Sequence, residues 1–220
     1  MNKAGSELEK DFLFKIPKIS GLSFGATIAI QISAIASRQT NIKRTRCNHP
    51  DGRPENVAEH SLMLSKVAPE LANILYPELD ENLVARFATL HDDVEAYVGD
   101  TPTDKLSYLN QSLKESLEVK GLHQLSAEYS HIPSYVKLMN DYEVQVIPEA
   151  RFVRAVDKLM VMLIHFPNEA KTIKENYNFD SFLESEKDLL ERDRYKYNEF
   201  SKIIELRQEL GITLANTFLK

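Results

Sequence analysis

The sequence contains a single cysteine, Cys47, among its 220 residues. One thiol cannot form an internal disulfide, and it cannot supply the several thiolates of a zinc finger. Small folds held together by disulfides or by thiolate-bound zinc are therefore excluded. A scarcity of cysteine is also typical of proteins that work in a reducing compartment, so we expect a cytoplasmic location.

Other common features are missing as well. The chain has no glycine-rich phosphate-binding loop, no internal repeat and no low-complexity segment. Its longest apolar run, residues 22–36, is too short to span a bilayer and is interrupted by Ser23, Gln31 and Ser33. The run also follows a leader that carries several carboxylates, which argues against a secretory signal. We predict no membrane association.

Basic residues are outnumbered: 27 lysines and arginines face 33 aspartates and glutamates, and the net charge is -6. This balance argues against binding to a nucleic-acid polymer. One segment, residues 38–54, is nevertheless strongly basic, and its Pro50, Gly52 and Pro54 predict a loop without regular structure. A solvated basic loop is one interpretation of this segment. A phosphate-binding loop is the other, because a metal-ligand motif follows it directly.

Helical periodicity dominates what is present. Apolar residues recur at spacings of three and four, and 43% of the residues are hydrophobic, which is enough for one well-filled core. We therefore predict an all-α, single-domain helical bundle over residues 1–220, with a motif-bearing core at about 22–166. Asn56 and Glu59 form the pattern of a capping box, and Pro69 should kink or divide the helix that follows. Further helices are expected from Asp80 to Gly99, from Pro148 to about 166, and from Ser181 to about 210 before Gly211.

Four polar residues stand where these helices should be apolar: His60, His91 with the adjacent Asp92, and Asp157. A lone histidine in such a stripe is more often a hydrogen-bonded core residue than a ligand. Asp157 taken alone fits a salt bridge to Arg154 or Lys158 as well as it fits a metal. Together, two imidazoles and two carboxylates suit one divalent metal ion, such as Mn, Co, Fe, Ni or Zn, with coordination positions left open.

Further acidic residues follow the His91–Asp92 pair. Glu95 lies four residues after His91 and projects from the same side of a helix. Gly99 should end that helix, so that the following tight loop returns Asp100 toward the cluster. Asp93 is expected to face solvent. This concentration of ionisable groups in a half-buried segment is costly unless a cation binds there.

The order of these motifs resembles the HD-domain phosphohydrolase superfamily, and in particular its bacterial 5'-deoxynucleotidase branch. The resemblance rests on residues 55–61 (ENVAEHS), on His91-Asp92 with Glu95, and on residues 99–103 (GDTPT). It spans roughly Arg44 to Asp157. It implies an all-α HD-type fold, a single bound metal held by His60, His91, Asp92 and Asp157, and a homodimer.

The resemblance also implies roles for residues around the metal. Glu95 matches the acid that assists proton transfer, Asp100 matches the residue near the sugar 3'-hydroxyl, and Thr101 would help to shape that pocket. An arginine before the first metal histidine binds phosphate in such enzymes, and either Arg44 or Arg46 matches it. Arg44 is favoured because Lys-Arg-Thr fits the pattern best. The aromatic residue that usually follows is missing here, so the stacking partner of the base is not identified.

The implied function is the removal of the 5'-phosphate from deoxyribonucleoside monophosphates by a metal-activated water. Two rival functions use the same site: a deoxynucleoside triphosphate triphosphohydrolase, and a non-catalytic nucleotide-binding protein that is stabilised by its metal. A two-metal phosphodiesterase would need further metal-binding histidines, and His123 and His131 stand in no matching motif.

Overall fold

A computed structural model of the protein describes residue 17, residues 19–100 and residues 108–220, with side chains from residue 113 onward in the last range. Its described part is predominantly helical, as the sequence predicts. The elements are α1 (Phe24–Gln39), β1 (Lys43–Asn48), β2 (Pro54–Asn56), α2 (Val57–Leu75), α3 (Glu81–Leu90), α4 (Glu95–Val98), α5 (Tyr108–Glu128), α6 (Pro133–Val144), α7 (Pro148–His165), α8 (Lys171–Lys174), α9 (Phe179–Lys196), a 3-10 turn (Asn198–Phe200) and α10 (Ser201–Phe218).

Helices α2, α3 and α7 form the centre of the bundle. The three helices pack together, and the side chains of Leu64 in α2, Phe87 in α3 and Phe152 in α7 are fully buried between them. Each such side chain contributes about 1.5–3 kcal/mol by leaving water. A second apolar cluster joins the end of α7 to α8, α9 and α10, with Met162, Phe182 and Leu214 as members. None of the described helices is both long and apolar enough to cross a membrane. The single-domain organisation of residues 1–220 stays a prediction.

The basic segment is not an irregular loop, and that expectation is wrong. Strands β1 and β2 pair antiparallel, with Lys43 opposite Asn56, and an irregular register lies between Lys43 and Asn48. The turn between the strands uses Gly52 at φ 85°, a conformation that glycine adopts without strain. Arg46 also has a positive φ of 63°, which is unusual for a non-glycine residue inside a strand. The resulting ribbon lies against α7 and α8.

Several helices also differ from the expectation. The single helix expected from Asp80 to Gly99 is two helices, α3 and α4, with residues 91–94 between them. Pro69 lies inside α2 without dividing it. The single C-terminal helix expected at about 181–210 is two helices, α9 and α10, separated by a 3-10 turn. The N-cap of α9 is Asn178, whose side chain accepts a hydrogen bond from Ser181 N at 2.9 Å. Gly211 lies within α10 rather than at its end.

Candidate active site

The start of α2 positions His60. Asn56 Oδ1 accepts a hydrogen bond from Glu59 N at 2.9 Å, and Glu59 Oε2 accepts one from Asn56 N at 3.0 Å. This is the capping box that the sequence predicts, and it fixes where the helix begins. His60 therefore sits in the first turn of α2, and only 1% of it is exposed.

The end of α3 positions His91. The helix stops at Leu90 instead of continuing to Gly99 as the sequence predicts, and His91 is its C-cap. The Nδ1 of His91 donates to the carbonyl of Ala88 at 2.9 Å, so Nδ1 is the nitrogen that carries the proton when the ring is neutral. Its buried Nε2 then carries a lone pair, and no described atom donates a hydrogen bond to it. A nitrogen in this state is ready to bind a cation.

Helix α7 brings Asp157 to the two histidines. Asp157 Oδ1 lies 3.0 Å from His60 Nε2 and 4.0 Å from His91 Nε2. One ligand atom from each of the three residues can be chosen so that all lie within 4.8 Å of one another. Asp92 adjoins this group, with Oδ2 at 3.0 Å from His91 Nε2 and 4.0 Å from His60 Nε2. We refer to these four residues as the tetrad.

The chemistry of the tetrad fits a divalent metal. The Nε2 of His91 faces one carboxylate oxygen of Asp92 and one of Asp157, and a cation between these atoms would stabilise the arrangement. Burial raises the pKa of the Asp157 carboxyl, but the neighbouring Lys158 ammonium and His60 outweigh burial and hold this pKa well below its usual range. Burial, reinforced by the nearby Arg44 charge, lowers the pKa of His60. Burial also lowers the pKa of His91, but the adjacent Asp92 carboxylate outweighs burial and raises this pKa. A bound metal would replace the proton that His91 and Asp92 attract.

The two carboxylate oxygens of Asp157 have different partners. Its Oδ2 accepts a hydrogen bond from Lys158 Nζ at 2.7 Å, while its Oδ1 faces the histidines. Arg154 is not its partner, because the Arg154 guanidinium binds Glu143 at 3.2 Å and lies over the Tyr142 ring. The lysine thus holds one carboxylate oxygen and leaves the other for the tetrad.

Glu95 begins α4 and lies 8% exposed beside the tetrad. Its Oε2 is buried without a hydrogen-bond partner in the described part of the chain. Burial raises the pKa of Glu95 well above its ordinary value, and the negative charges of Asp92 and Asp100 raise it further. Glu95 is therefore suited to carry a proton at neutral pH.

Asp100 follows Gly99, which ends α4 at φ 80° as the sequence predicts. The Oδ2 of Asp100 accepts a hydrogen bond from the backbone N–H of Thr45 at 3.3 Å, so the loop after α4 is attached to strand β1. Burial raises the pKa of Asp100, although Arg44 opposes this shift. Thr101, the remaining residue of the predicted sugar pocket, lies outside the described residues.

Of the two candidate phosphate-binding arginines, Arg44 contacts the tetrad. Its Nη1 donates to Asp92 Oδ2 at 3.4 Å, and its Nε lies 3.2 Å from Glu55 Oε2. Burial lowers the pKa of Arg44, but Asp92 and Asp157 outweigh burial and raise it, so the guanidinium stays charged. Arg46 lines the same cavity. Both arginines therefore face the cavity.

Two further carboxylates, Glu55 and Asp93, are buried near the tetrad. Glu55, 2% exposed, lies 3.8 Å from His60 Nδ1 through Oε2, and burial raises its pKa to about 7. Asp93 does not face solvent, and that expectation is wrong: it is 7% exposed. Its carboxylate accepts hydrogen bonds from Gln39 Nε2 at 3.0 Å and from Tyr135 Oη at 2.6 Å. Since those donors are 54 and 42 residues away, no local pattern signals the contact.

A cavity opens onto this cluster and continues toward α8 and α9. Its wall includes Asp92, Asp157 and Glu95 at one end and Arg192 at the other. Basic and acidic side chains alternate along the end near the tetrad, which is suited to hold an anion close to a cation. The residues of that end are Arg44, Thr45, Arg46, Asp92, Glu95, Asp100, Lys114, Glu118, Arg154, Asp157 and Lys158.

Comparison with known proteins identifies the family. The HD domain model matches residues 36–196. The chain is 27% identical over 141 residues to 5'-deoxynucleotidase HDDC2 of Homo sapiens, which covers 63% of this chain and 67% of that protein. It is 28% identical over 130 residues to 5'-deoxynucleotidase hdd1 of Schizosaccharomyces pombe, covering 56% of this chain and 63% of that protein.

A solved structure shares the fold. The predicted metal-dependent phosphohydrolase from Magnetospirillum magnetotacticum MS-1 superposes with a TM-score of 0.66 over 88% of this chain and 93% of its own, at 23% sequence identity. At that identity the likeness shows the fold alone. It confirms the all-α architecture, and the family match confirms the resemblance inferred from the motifs. This chain therefore belongs to the HD domain family.

Proposed function

We propose that this protein is a metal-dependent phosphomonoesterase that removes the 5'-phosphate of deoxyribonucleoside monophosphates. The observation that carries the proposal is the meeting of His60, His91, Asp92 and Asp157 beside a buried, charged Arg44 at one end of a cavity. The activity named for the human and yeast relatives supports the choice of substrate. Matches to the curated relatives cover 54% to 67% of their lengths, so the activity is proposed here on the site itself.

The tetrad would hold one divalent metal ion, with Mn, Co, Fe, Ni and Zn all compatible with two imidazoles and two carboxylates. When bound, such an ion acidifies a water molecule and offsets charge on the phosphoryl oxygens. Arg44 binds the phosphate, because its charge and its hydrogen bond to Asp92 place a cation at the tetrad's edge. Arg46, on the same strand, provides a second cation at the cavity wall.

Glu95 supplies the proton. Its pKa is raised well above the ordinary range by burial and by two neighbouring carboxylates, so it enters the reaction protonated. It donates to the 5'-oxygen as the bond from phosphorus to that oxygen breaks. Asp100 accepts a hydrogen bond from the sugar 3'-hydroxyl, and Thr101 completes the sugar pocket. Discrimination between deoxyribose and ribose would reside at this end of the cavity.

The test is phosphate release from dAMP with Mn or Co, comparing the wild type with Glu95→Gln and with Glu205→Gln. Glu205 is an exposed glutamate on α10, so the same substitution there controls for the change of charge. We expect Glu95→Gln to lower kcat by at least about 100-fold while metal content, measured by elemental analysis, stays unchanged. Unchanged phosphate release would remove the role given to Glu95.

The rival activities are separated by the leaving anion. Incubation with dATP yields inorganic triphosphate from a triphosphohydrolase, whereas a monophosphatase releases phosphate from dAMP. A non-catalytic nucleotide-binding protein would bind dAMP without turnover. We expect phosphate from dAMP, and triphosphate release from dATP as the faster reaction would overturn the proposal.

We further propose that the protein acts as a cytoplasmic homodimer and binds no nucleic-acid polymer. The supporting observations are the unpaired Cys47, the net charge of -6, and apolar side chains such as Phe24 and Ile32 exposed on α1. Light scattering coupled to size exclusion measures the mass in solution. A mass equal to one chain of 25.2 kDa would refute the dimer.

A further inference from the structure

The cavity extends well beyond the tetrad. Past Lys158 its wall passes from α7 to α8 and α9, where apolar side chains lie beside the charged residues Glu186, Arg192 and Arg207. We call this part the distal arm. Its first residue is Val161, which lies one helical turn after Asp157 on α7. Because the two ends form one continuous space, a group attached to a phosphate at the tetrad can enter the arm. The arm is lined by Val161, Met162, Tyr177, Phe182, Ser185 and Leu189.

The strand that carries Arg44 also forms part of this space. Cys47 of β1 lines the cavity, and β1 packs against both α7 and α8. The side chain of Asn168 donates a hydrogen bond to the carbonyl of Asn48 at 2.5 Å, which joins the segment before α8 to the end of the strand. The position of Tyr177, shortly after α8, is therefore linked to the position of the phosphate-binding arginine.

Aromatic rings occur in this wall. The Tyr177 and Phe182 rings meet edge to face, with centroids 6.2 Å apart and an interplanar angle of 76°. Sites for flat organic groups are typically apolar and aromatic with a few polar atoms, and the arm has this composition, with Ser185 as one polar member. An aromatic ring is also the group on which a nucleobase stacks, whatever the base.

The charges of the arm do not suit a polyphosphate tail. Arg207 is paired with Glu186 at 3.1 Å and with Asp193 at 2.5 Å. Arg192, 40% exposed, is paired with Asp193 at 3.1 Å. Two guanidinium groups thus face two carboxylates, and this group offers no excess positive charge for additional phosphates.

We infer that the distal arm binds the nucleobase of the substrate and that Tyr177 is its stacking residue. This inference rests on the proposed function. With the phosphate at Arg44 and the base in the arm, the cavity is matched to a nucleoside monophosphate rather than to a triphosphate. Tyr177 also supplies the aromatic residue that is missing from the positions soon after Arg44 in the sequence. The stacking group comes from the α8–α9 segment, more than a hundred residues later in the chain.

The test compares dAMP with 2-deoxyribose 5-phosphate, which has the same sugar and phosphate but no base. For each protein, the ratio of kcat/KM for dAMP to kcat/KM for 2-deoxyribose 5-phosphate measures what the base contributes. We expect Tyr177→Ala to lower this ratio roughly tenfold, through KM rather than kcat. Tyr177→Phe, which keeps the ring, should retain the ratio. Tyr195→Ala is the matched control, since Tyr195 is 89% exposed.

A second variant fills the arm instead of emptying it. Ser185→Phe adds a ring to the wall, so it should lower the same ratio even if Tyr177→Ala folds poorly. A wild type that releases no phosphate from dAMP overturns the proposed function and this inference with it. An active protein whose ratio is unchanged in Tyr177→Ala and Ser185→Phe overturns only the inference. Faster turnover of dATP than of dAMP by the wild type overturns it as well.

Discussion

His165 provides a quantitative test of the buried structure around the cavity. It is the last residue of α7, it lines the cavity wall, and it is 4% exposed. Burial lowers its pKa from 6.5 to about 4, although Asn168 partly offsets the effect. In the unfolded chain the ring takes up a proton below its ordinary pKa, whereas in the folded protein it stays neutral down to about 4. Acid therefore favours the unfolded chain.

The size of the effect follows from the two pKa values. The difference between 6.5 and about 4, at 1.36 kcal/mol per unit of pKa, corresponds to a loss of about 3 kcal/mol in the free energy of unfolding. This contribution to stability is complete above pH 6.5, falls as the pH drops from 6.5 to 4, and changes no further below 4. His165→Gln cannot titrate, so the slope that comes from this residue should vanish.

The assay is urea denaturation followed by circular dichroism at a series of pH values from 4 to 7.5, on the wild type, His165→Gln and His123→Gln. His123 is exposed on α5 and serves as the matched control. The wild type and His165→Gln share all other titrating groups, so the difference between their curves isolates His165. If His165→Gln loses stability toward acid as steeply as the wild type, the reasoning about this buried ring is refuted.

Three further outcomes are expected. Removal of the metal by a chelator should lower Tm, because the buried carboxylates of the tetrad lose their cation, and added Mn should restore Tm. An unchanged Tm in the presence of chelator would contradict this. Asp93→Ala leaves two buried donors unpaired and should lower the free energy of unfolding by about 2–4 kcal/mol in urea, with Asp93→Asn intermediate. Gly121→Ala places a Cβ 2.8 Å from Val94 Cγ1, so it should lower the free energy of unfolding by about 1–3 kcal/mol and lower kcat by displacing α4. Gly25→Ala, whose Cβ meets open space, should stabilise the protein slightly. Equal urea midpoints for the two alanine variants would refute this packing argument.

The elements that follow from local rules were predictable. The capping box of Asn56 and Glu59 and the ending of a helix at Gly99 each depend on residues within four positions of one another. The polar residues of the tetrad were also visible, because they interrupt the apolar periodicity of the sequence. A polar residue at an expected apolar position can therefore indicate a candidate site before the contacts of that residue are known.

Features that depend on distant partners were not predictable. Pro50, Gly52 and Pro54 indicated an irregular loop, but the residues around them pair as strands because the ribbon packs against α7 and α8. Asp93 was assigned to solvent, although Gln39 of α1 and Tyr135 of α6 both donate to it. The last helix was expected to stop at Gly211, yet contacts between α10 and its neighbours keep it helical there. In each case tertiary packing overrides local preference.

The hydrogen bond from His91 Nδ1 to the Ala88 carbonyl has an evolutionary consequence. The donor and the acceptor stand three positions apart at the end of α3, so the direction of the ring is tied to the phase of that helix. Inserting or deleting one residue in α3 would rotate whatever follows by about 100° and swing the imidazole out of the interior. Length variation among descendants of this gene should therefore be confined to connections such as the one between α2 and α3, and be absent from α3 itself.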